Sequence, residues 1–523
     1  MFFHQQTKSL VLQADDPLSI RSALPRWSRI IDQTEQGNVQ VRHNIETTRI
    51  LRNMGYDAPS PMDCHYPWPG KYDPYDHQRV MADAMIMNNK VFNLSEMGTG
   101  KTYASLWAAD YLMSQGLVKR VLILSPLSTL ETVWKQDIFD ILMHRSCAVI
   151  HGSMEKRLQR LNTDVDFYIL NHDGIALPEV AKLIRRRTDI DLIICDEFHY
   201  FINNSTDKWK YLNWVMEKKD RLWGMTGTPT PNEPTDAWAL CKLINPNAVP
   251  RFKGTFKRQT MIEIGKWKWA PRKGSERIVF DVMRPAVRFL KKDCLDLPEQ
   301  IGPIKIQTRM TKAQEKAYNQ MREDMILSGQ GTTITAVNAA DKITKLRQIL
   351  CGVVKDPATG QYKFIDHHHR IDDLCATIDQ AKAKVLVIVP FKGILRALDA
   401  ELTKRGYSTA YINGDVSPGA RNKIIRAFKT TDDPQVLLCH PMVMAHGLNL
   451  TVADMTIFYA PIYSNKDYQQ VTERNNRAGQ TRVTTVVRMG ANPLEWQIYR
   501  QLDTKGVTQD NVLSLYHRIV GSG

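Results

Sequence analysis

Two series of short apolar runs, separated by stretches with helical spacing, constrain this chain more than any other feature. The first series is VFNLS (91–95), VLILS (121–125), CAVI (147–150), FYIL (167–170), DLIICD (191–196) and LWGMTG (222–227). The second is KVLVIVP (384–390), TAYING (409–414), VLLC (436–439), MTIFY (455–459) and TTVVRM (484–489). Strand-length runs alternating with helices predict parallel sheets flanked by helices. The fold class expected is therefore α/β, with two tandem parallel-sheet lobes, helical insertions and a small N-terminal accessory domain. The predicted boundaries are 1–70 for the accessory domain, 71–250 for the first lobe, 251–380 for a basic, helical interlobe region and 381–523 for the second lobe.

The first boundary rests on APSPMDCHYPWPGKYDP (58–74), whose five prolines argue against any helix there. Before it, VQVRHNIETTRILRNMGY has helical apolar spacing at Ile45, Ile50 and Leu51. No apolar run approaches the roughly 18 residues of a membrane span, so no membrane partner is expected. The eight cysteines form no CxxC pair, which opposes a zinc ribbon or disulfide scaffold. The formal charge is +15, and residues 251–292 hold 13 Lys/Arg against 3 Asp/Glu. That one segment thus supplies +10 of the excess, a local pointer to a polyanion.

The sharpest chemical signal is SEMGTGKT (95–102), which follows a predicted strand and precedes a helix. Met97, Gly98, Thr99 and Gly100 would cradle phosphates with backbone N–H groups, the glycines allowing the close approach. Lys101 would reach the β- and γ-phosphates of ATP, and the Thr102 hydroxyl would ligate Mg²⁺. Ser95 stands where the full phosphate-loop pattern has glycine. DLIICDEFH then places Asp196 and Glu197 at the carboxyl end of a strand, where side chains reach the ligand crevice. Asp196 is the second candidate Mg²⁺ ligand, and Glu197 the candidate base that orients and deprotonates the attacking water.

With these two motifs the chain resembles a superfamily-two helicase, and the resemblance continues in order from about residue 72 to 490. Pro74-Tyr75-Asp76-His77-Gln78 resembles the Q-motif, which implies that Gln78 reads adenine. SPLSTLETVW (125–134) resembles motif Ia, and GMTGTPTPNEPTDAWALCKLINP (224–246) resembles motif III with the extension of SWI/SNF-type ATPases. RFLKKDCLDLPEQ (288–300) and LRQILCG (346–352) are similar to two further hallmarks of that group. KVLVIVPF resembles motif IV, AHGLNLT (445–451) motif V and QQVTERNNRAGQ (469–480) motif VI. The compact build is most similar to bacteriophage-encoded members and HepA-related annealing helicases.

The resemblance implies two RecA-like lobes and an ATP-dependent DNA translocase acting on duplex or branched DNA in annealing, fork remodelling or protein displacement. It carries catalytic roles to Arg474 and Arg477 as arginine fingers, beside Lys101 and Glu197, and an ATP-binding role to Gln480. It also assigns Pro126, Thr226 and Asn449 to the nucleic-acid backbone. ATP and Mg²⁺ are the expected cofactors. DNA is expected ahead of RNA, bound by a monomer, in the cytoplasm (that of a bacterial host if phage-encoded). A strand-separating helicase and an ATP-gated clamp without stepping are the alternatives. A small-molecule P-loop kinase is opposed by the ordered second-lobe motifs.

Three further clusters have two readings each. Lys266, Trp267, Lys268 and Trp269 interleave cations with indoles, either to stack on DNA or to pack on the lobe. Arg185-Arg186-Arg187 reads as the basic end of a helix. His367-His368-His369 reads as an exposed lead-in to a helix, because three adjacent side chains do not converge easily on one ion.

Overall fold

The computed structural model describes residues 1–13, 16–25, 28–30, 37–265, 268–294, 297–327, 344–355, 361–444, 450–477, 479–500 and 502–503. The chain divides into two compact units between Leu290 and Lys291.

The first unit opens with an antiparallel sheet in the order Phe2–His4, Ser9–Gln13, Asn38–Arg42, Arg29–Ile30. Leu10 and Leu12 lie opposite Val41 and Val39, so the alternation of these strands turns one apolar face inward. Ile20, Leu24, Leu51 and Ala58 complete that small core. The helix Ile45–Asn53 starts on a reciprocal capping box between Asn44 and Thr47. Two expectations need correction here. The proline-rich stretch does contain a short helix, Pro61–His65, because Pro61 occupies the first helical position, where no N–H is needed, and Ser60 caps it. Met62, Tyr66 and Trp68 then join the core of the following lobe, so the accessory module closes nearer Ala58 than residue 70.

That lobe is a seven-stranded, wholly parallel sheet. Its order is Ala286–Val287, Lys90–Asn93, Arg221–Met225, Ile190–Cys195, Arg120–Ser125, Phe167–Asn171, Cys147–Ile150. The helix Lys101–Ser114 is buried continuously from Ala104 to Met113, which is why its sequence is apolar on every side. The topology sets SEMGTGKT, Thr226, Asp196 and Pro126 after the carboxyl ends of four neighbouring strands. That edge is where ligands bind open parallel sheets.

The second unit is a six-stranded parallel sheet in the order Gln300–Gln307, Thr484–Gly490, Ala453–Phe458, Lys384–Ile388, Val436–Cys439, Thr409–Ile412. Separate apolar clusters, one with Val385 and Val387 and the other with Leu386 and Ile388, cover its two faces. The expected interlobe region 251–380 is not a separate body. Its strand Ala286–Val287 extends the first sheet, its strand Gln300–Gln307 edges the second, and its helix His368–Ile378 packs in the second core. Both sheets are the parallel, doubly covered lobes expected of a RecA-like pair.

Beside the histidine run the sequence hid a structural charge. Arg370 is 1 % exposed and pairs through both Nη atoms with Glu495, whose side chain is 0 % exposed. Arg370 also donates to the Tyr459 carbonyl through Nε, and Glu495 accepts the Ala491 N–H. Among the three histidines, His367 stacks against Gly352, where a Cβ would lie 2.0 Å from its Nδ1. Breaking a buried, fully bonded pair leaves an uncompensated charge. Glu495→Ala should therefore destabilise the second unit by about 3–5 kcal/mol in urea unfolding, and a loss under about 1 kcal/mol would contradict this assignment.

Candidate active site

The phosphate loop is shaped by its glycines. Gly98 and Gly100 both take φ near +82°, a left-handed backbone that glycine adopts without strain. Gly100 also allows a close approach: a Cβ there would sit 1.9 Å from the Gln78 Nε2. Gln78 in turn accepts the Tyr75 N–H at 2.9 Å, holding the start of the helix Asp76–Met87. The neighbouring His77 Nε2 lies 2.9 Å from the Thr99 carbonyl, and burial pushes this imidazole below its usual range. A neutral ring donating to that carbonyl accounts for both facts. Lys101 Nζ donates to the Ser95 and Glu96 carbonyls at 2.8 Å each, spanning the loop. Ser95, the departure from the glycine pattern, accepts the Phe289 N–H at 3.0 Å with its hydroxyl. It thereby ties the loop to the chain leaving Ala286–Val287.

Asp196 is the electrostatic centre. Trp134 donates its indole N–H to Oδ2 at 3.1 Å, and Glu197 donates its backbone N–H to Oδ1 at 2.9 Å. Trp134 is delivered by a π-helical turn, Leu130–Lys135, a distortion often found at functional sites. The Asp196 carbonyl lies 2.8 Å from His172 Nε2. Burial drives that imidazole down to about 3, so it stays neutral and donates to the carbonyl. Burial first and the Glu197 charge second push the Asp196 carboxyl up to about 6, against the Trp134 hydrogen bond and Lys101. A half-buried carboxylate short of compensating charge suits a divalent cation. Thr102, in the first turn of Lys101–Ser114, is the second candidate oxygen donor. Two hard oxygen donors fit Mg²⁺.

Glu197 adopts φ +48° and ψ +51°. This left-handed geometry costs a residue with a Cβ about 1–2 kcal/mol. Strain of this kind persists where the surroundings fix it, as functional sites do. Here a relay of short contacts does so. His199 Nδ1 is 3.3 Å from Glu197 Oε2 and 3.1 Å from Thr226 Oγ1, which also accepts the Thr228 N–H at 3.1 Å. Gly224 makes room for this turn, since a Cβ there would meet the Phe198 ring at 2.4 Å.

Several sequence-assigned residues therefore hold different places. Thr226 is 1 % exposed and occupied within the Glu197–His199 relay, and Pro126 is buried, so neither presents a surface to nucleic acid. Gln480 is 5 % exposed; its amide donates to the Thr451, Ala453 and Asn475 carbonyls and accepts the Thr481 and Arg482 N–H groups. That is a bracket for the turn, with its hydrogen-bonding capacity spent. Arg474 is 2 % exposed and donates Nε to the Met444 carbonyl at 2.7 Å. Arg477 is half-buried, with Nε on the Glu473 carbonyl at 2.9 Å. Glu473 itself is ion-paired to Lys291. Trp269 lies under the Lys257 ammonium at 4.3 Å, which favours packing over display. The strand Lys268–Pro271 carries Lys268. Lys266, Trp267 and Asn449 lie outside the described residues, as do Ala445–Leu448 of the motif V segment. Trp134, His172 and His199 carry no assigned role in the sequence motifs. Two of them were nonetheless inside quoted motifs, SPLSTLETVW and DEFH, and an aromatic or imidazole within such a motif is the signal that could have found them.

The geometry makes two predictions. Lys101→Ala and Glu197→Gln should each abolish ATP turnover, the second retaining ATP binding; turnover surviving both would contradict the site. Thr226→Val removes the relay hydroxyl and should lower kcat about 10- to 100-fold while DNA affinity stays within twofold. A loss of DNA affinity with kcat intact would instead return Thr226 to a nucleic-acid contact.

Comparison with known proteins identifies the family. The SNF2-related domain family matches residues 85–354, and the helicase conserved C-terminal domain matches residues 369–479. An uncharacterized ATP-dependent helicase of Mycoplasma genitalium is 24 % identical over 415 residues, covering 77 % of this chain and 38 % of that protein. The ATP-dependent DNA helicase DDM1 of Arabidopsis thaliana is 24 % identical over 460 residues, covering 82 % and 59 %. Protein p41 of Acyrthosiphon pisum secondary endosymbiont phage 1 is 23 % identical over 469 residues, covering 85 % and 98 %. The chain thus spans well under two thirds of the first two and nearly all of the phage protein. With one family matched across more than half of its length, the chain belongs to the SNF2-related family and is an ATPase of that type.

Proposed function

We propose that this ATPase is a DNA translocase, coupling ATP hydrolysis to movement on duplex or branched DNA. The observation that carries the reading is the relay joining Glu197 to Thr226 through His199. It ties the base that activates water to the carboxyl edge of the next strand, so a shift there repositions Glu197. A motor needs such a link between hydrolysis and the strand edges around the site; a simple phosphatase does not. The relatives' names support DNA as the track, since one is a DNA helicase.

In this reading Lys101 binds the β- and γ-phosphates, and the loop N–H groups around Gly98 and Gly100 orient them. Gln78, beside Gly100, contacts the base in this reading. Thr102 and Asp196 hold Mg²⁺, which when bound neutralises phosphate charge. Glu197 orients the attacking water and accepts its proton at a carboxylate oxygen. Arg477 carries the arginine-finger role more readily than Arg474, whose guanidinium is buried against its own unit.

A triplex-displacement assay tests translocation directly. ATP-dependent release of a third strand from duplex DNA is expected. Hydrolysis without release would favour an ATP-gated clamp, and unwinding of a plain duplex would favour a strand-separating helicase.

A further inference from the structure

Residues 251–284 lie within the first unit and carry a hairpin between two helices. The helix Lys253–Thr260 leads into an antiparallel hairpin, Met261–Gly265 with Lys268–Pro271, followed by the helix Ser275–Val282. The hairpin is bolted at its base. Phe256 and Thr260 are 0 % exposed and Met261 is 2 % exposed, and the Arg272 N–H closes onto the Thr260 carbonyl at 2.9 Å. Beyond that base Ile262–Gly265 is exposed. Ile262 is 47 % and Ile264 66 % exposed, two residues apart on one strand, with a bulge between Glu263 and Gly265. Two β-branched apolar side chains displayed on a rigid stalk are an unpartnered contact surface.

The surrounding charge identifies the partner. Some arginines elsewhere on the unit are ion-paired, Arg120 to Asp164 and Asp189 and Arg145 to Asp110 and Asp166. Around the hairpin, Lys257, Arg258, Arg272, Lys273 and Arg277 form no ion pair among the described residues. Uncompensated cations flanking an apolar edge call for a polyanion that also offers apolar faces. Nucleic acid meets both demands where its bases are unstacked. Inside an intact duplex the base faces are covered, so the match is a junction of duplex and single strand.

We propose that the Ile262/Ile264 edge of this hairpin packs on the exposed terminal base pair or first unpaired base of a DNA junction, while the surrounding cations hold the phosphates. The proposal rests on the DNA reading above. It assigns the apolar contact to the isoleucines, because Trp269 is covered by Lys257.

The test is equilibrium binding of the full chain, by fluorescence anisotropy, to a fork, a blunt duplex and a single strand of equal length, with anionic vesicles in parallel. The double variant Ile262→Ser/Ile264→Ser changes exposed residues, and an unchanged thermal melt shows that it folds. Its affinity for the fork should fall about tenfold while duplex affinity stays within twofold. Equal losses on all three DNAs, or no loss on the fork, would overturn the proposal. Arg272→Ala/Lys273→Ala should instead weaken all three together and reduce the salt dependence; a fork-only loss there would also overturn it. Failure of the unaltered chain to bind any DNA, or binding to vesicles alone, would overturn the DNA reading itself.

Discussion

The carboxylate of Asp196 is the constraint around which the first unit is organised. A negative charge half-buried at the end of a central strand is costly unless its surroundings answer it. They do so partly, with one indole N–H, one backbone N–H and the Lys101 ammonium nearby. The carboxyl still sits above its ordinary range, and that residual deficit is what a divalent cation would satisfy. The π-helical turn that delivers Trp134, the neutral His172 that holds the carbonyl and the left-handed turn at Glu197 are consequences of the same centre.

From that centre the structure extends in one continuous direction. Glu197 is held by His199, and His199 by the hydroxyl of Thr226 on the adjoining strand edge. The phosphate loop is coupled on its other flank, where Ser95 and Glu96 bond to Phe289 at the end of the basic segment. The segment that carries the local positive charge is therefore hydrogen-bonded to the loop that carries the nucleotide. This supplies a short physical path between the basic segment and the phosphate loop. The path is intermediacy in space, and it becomes coupling only if both ends bias one conformational change.

Much of this was legible in the sequence because the central strands are buried on both faces and so read as unbroken apolar runs. All eleven runs of the two series became strands of the two parallel sheets. What escaped notice is just as physical. Ala286–Val287 is two residues long and Gln300–Gln307 is largely exposed, so neither edge strand carries an apolar signature. The hairpin Met261–Gly265 and Lys268–Pro271 was masked by its charge. The proline-rich helix Pro61–His65 formed because proline at a first helical position does no harm. At the site, the spacing places Lys101, Asp196 and Glu197 after strands at the carboxyl edge of the sheet, where the structure has them. Thr226 and Gln480 are buried, with polar atoms engaged in internal bonds that a linear motif does not reveal.

The central claim is that ATP hydrolysis at Lys101, Asp196 and Glu197 answers to DNA. Steady-state ATP turnover of the unaltered chain, measured with duplex DNA, forked DNA, single-stranded DNA and RNA at one fixed salt concentration, tests it most directly. The account predicts strong stimulation by duplex or forked DNA and little by RNA. Turnover that is the same with every nucleic acid and with none would contradict it.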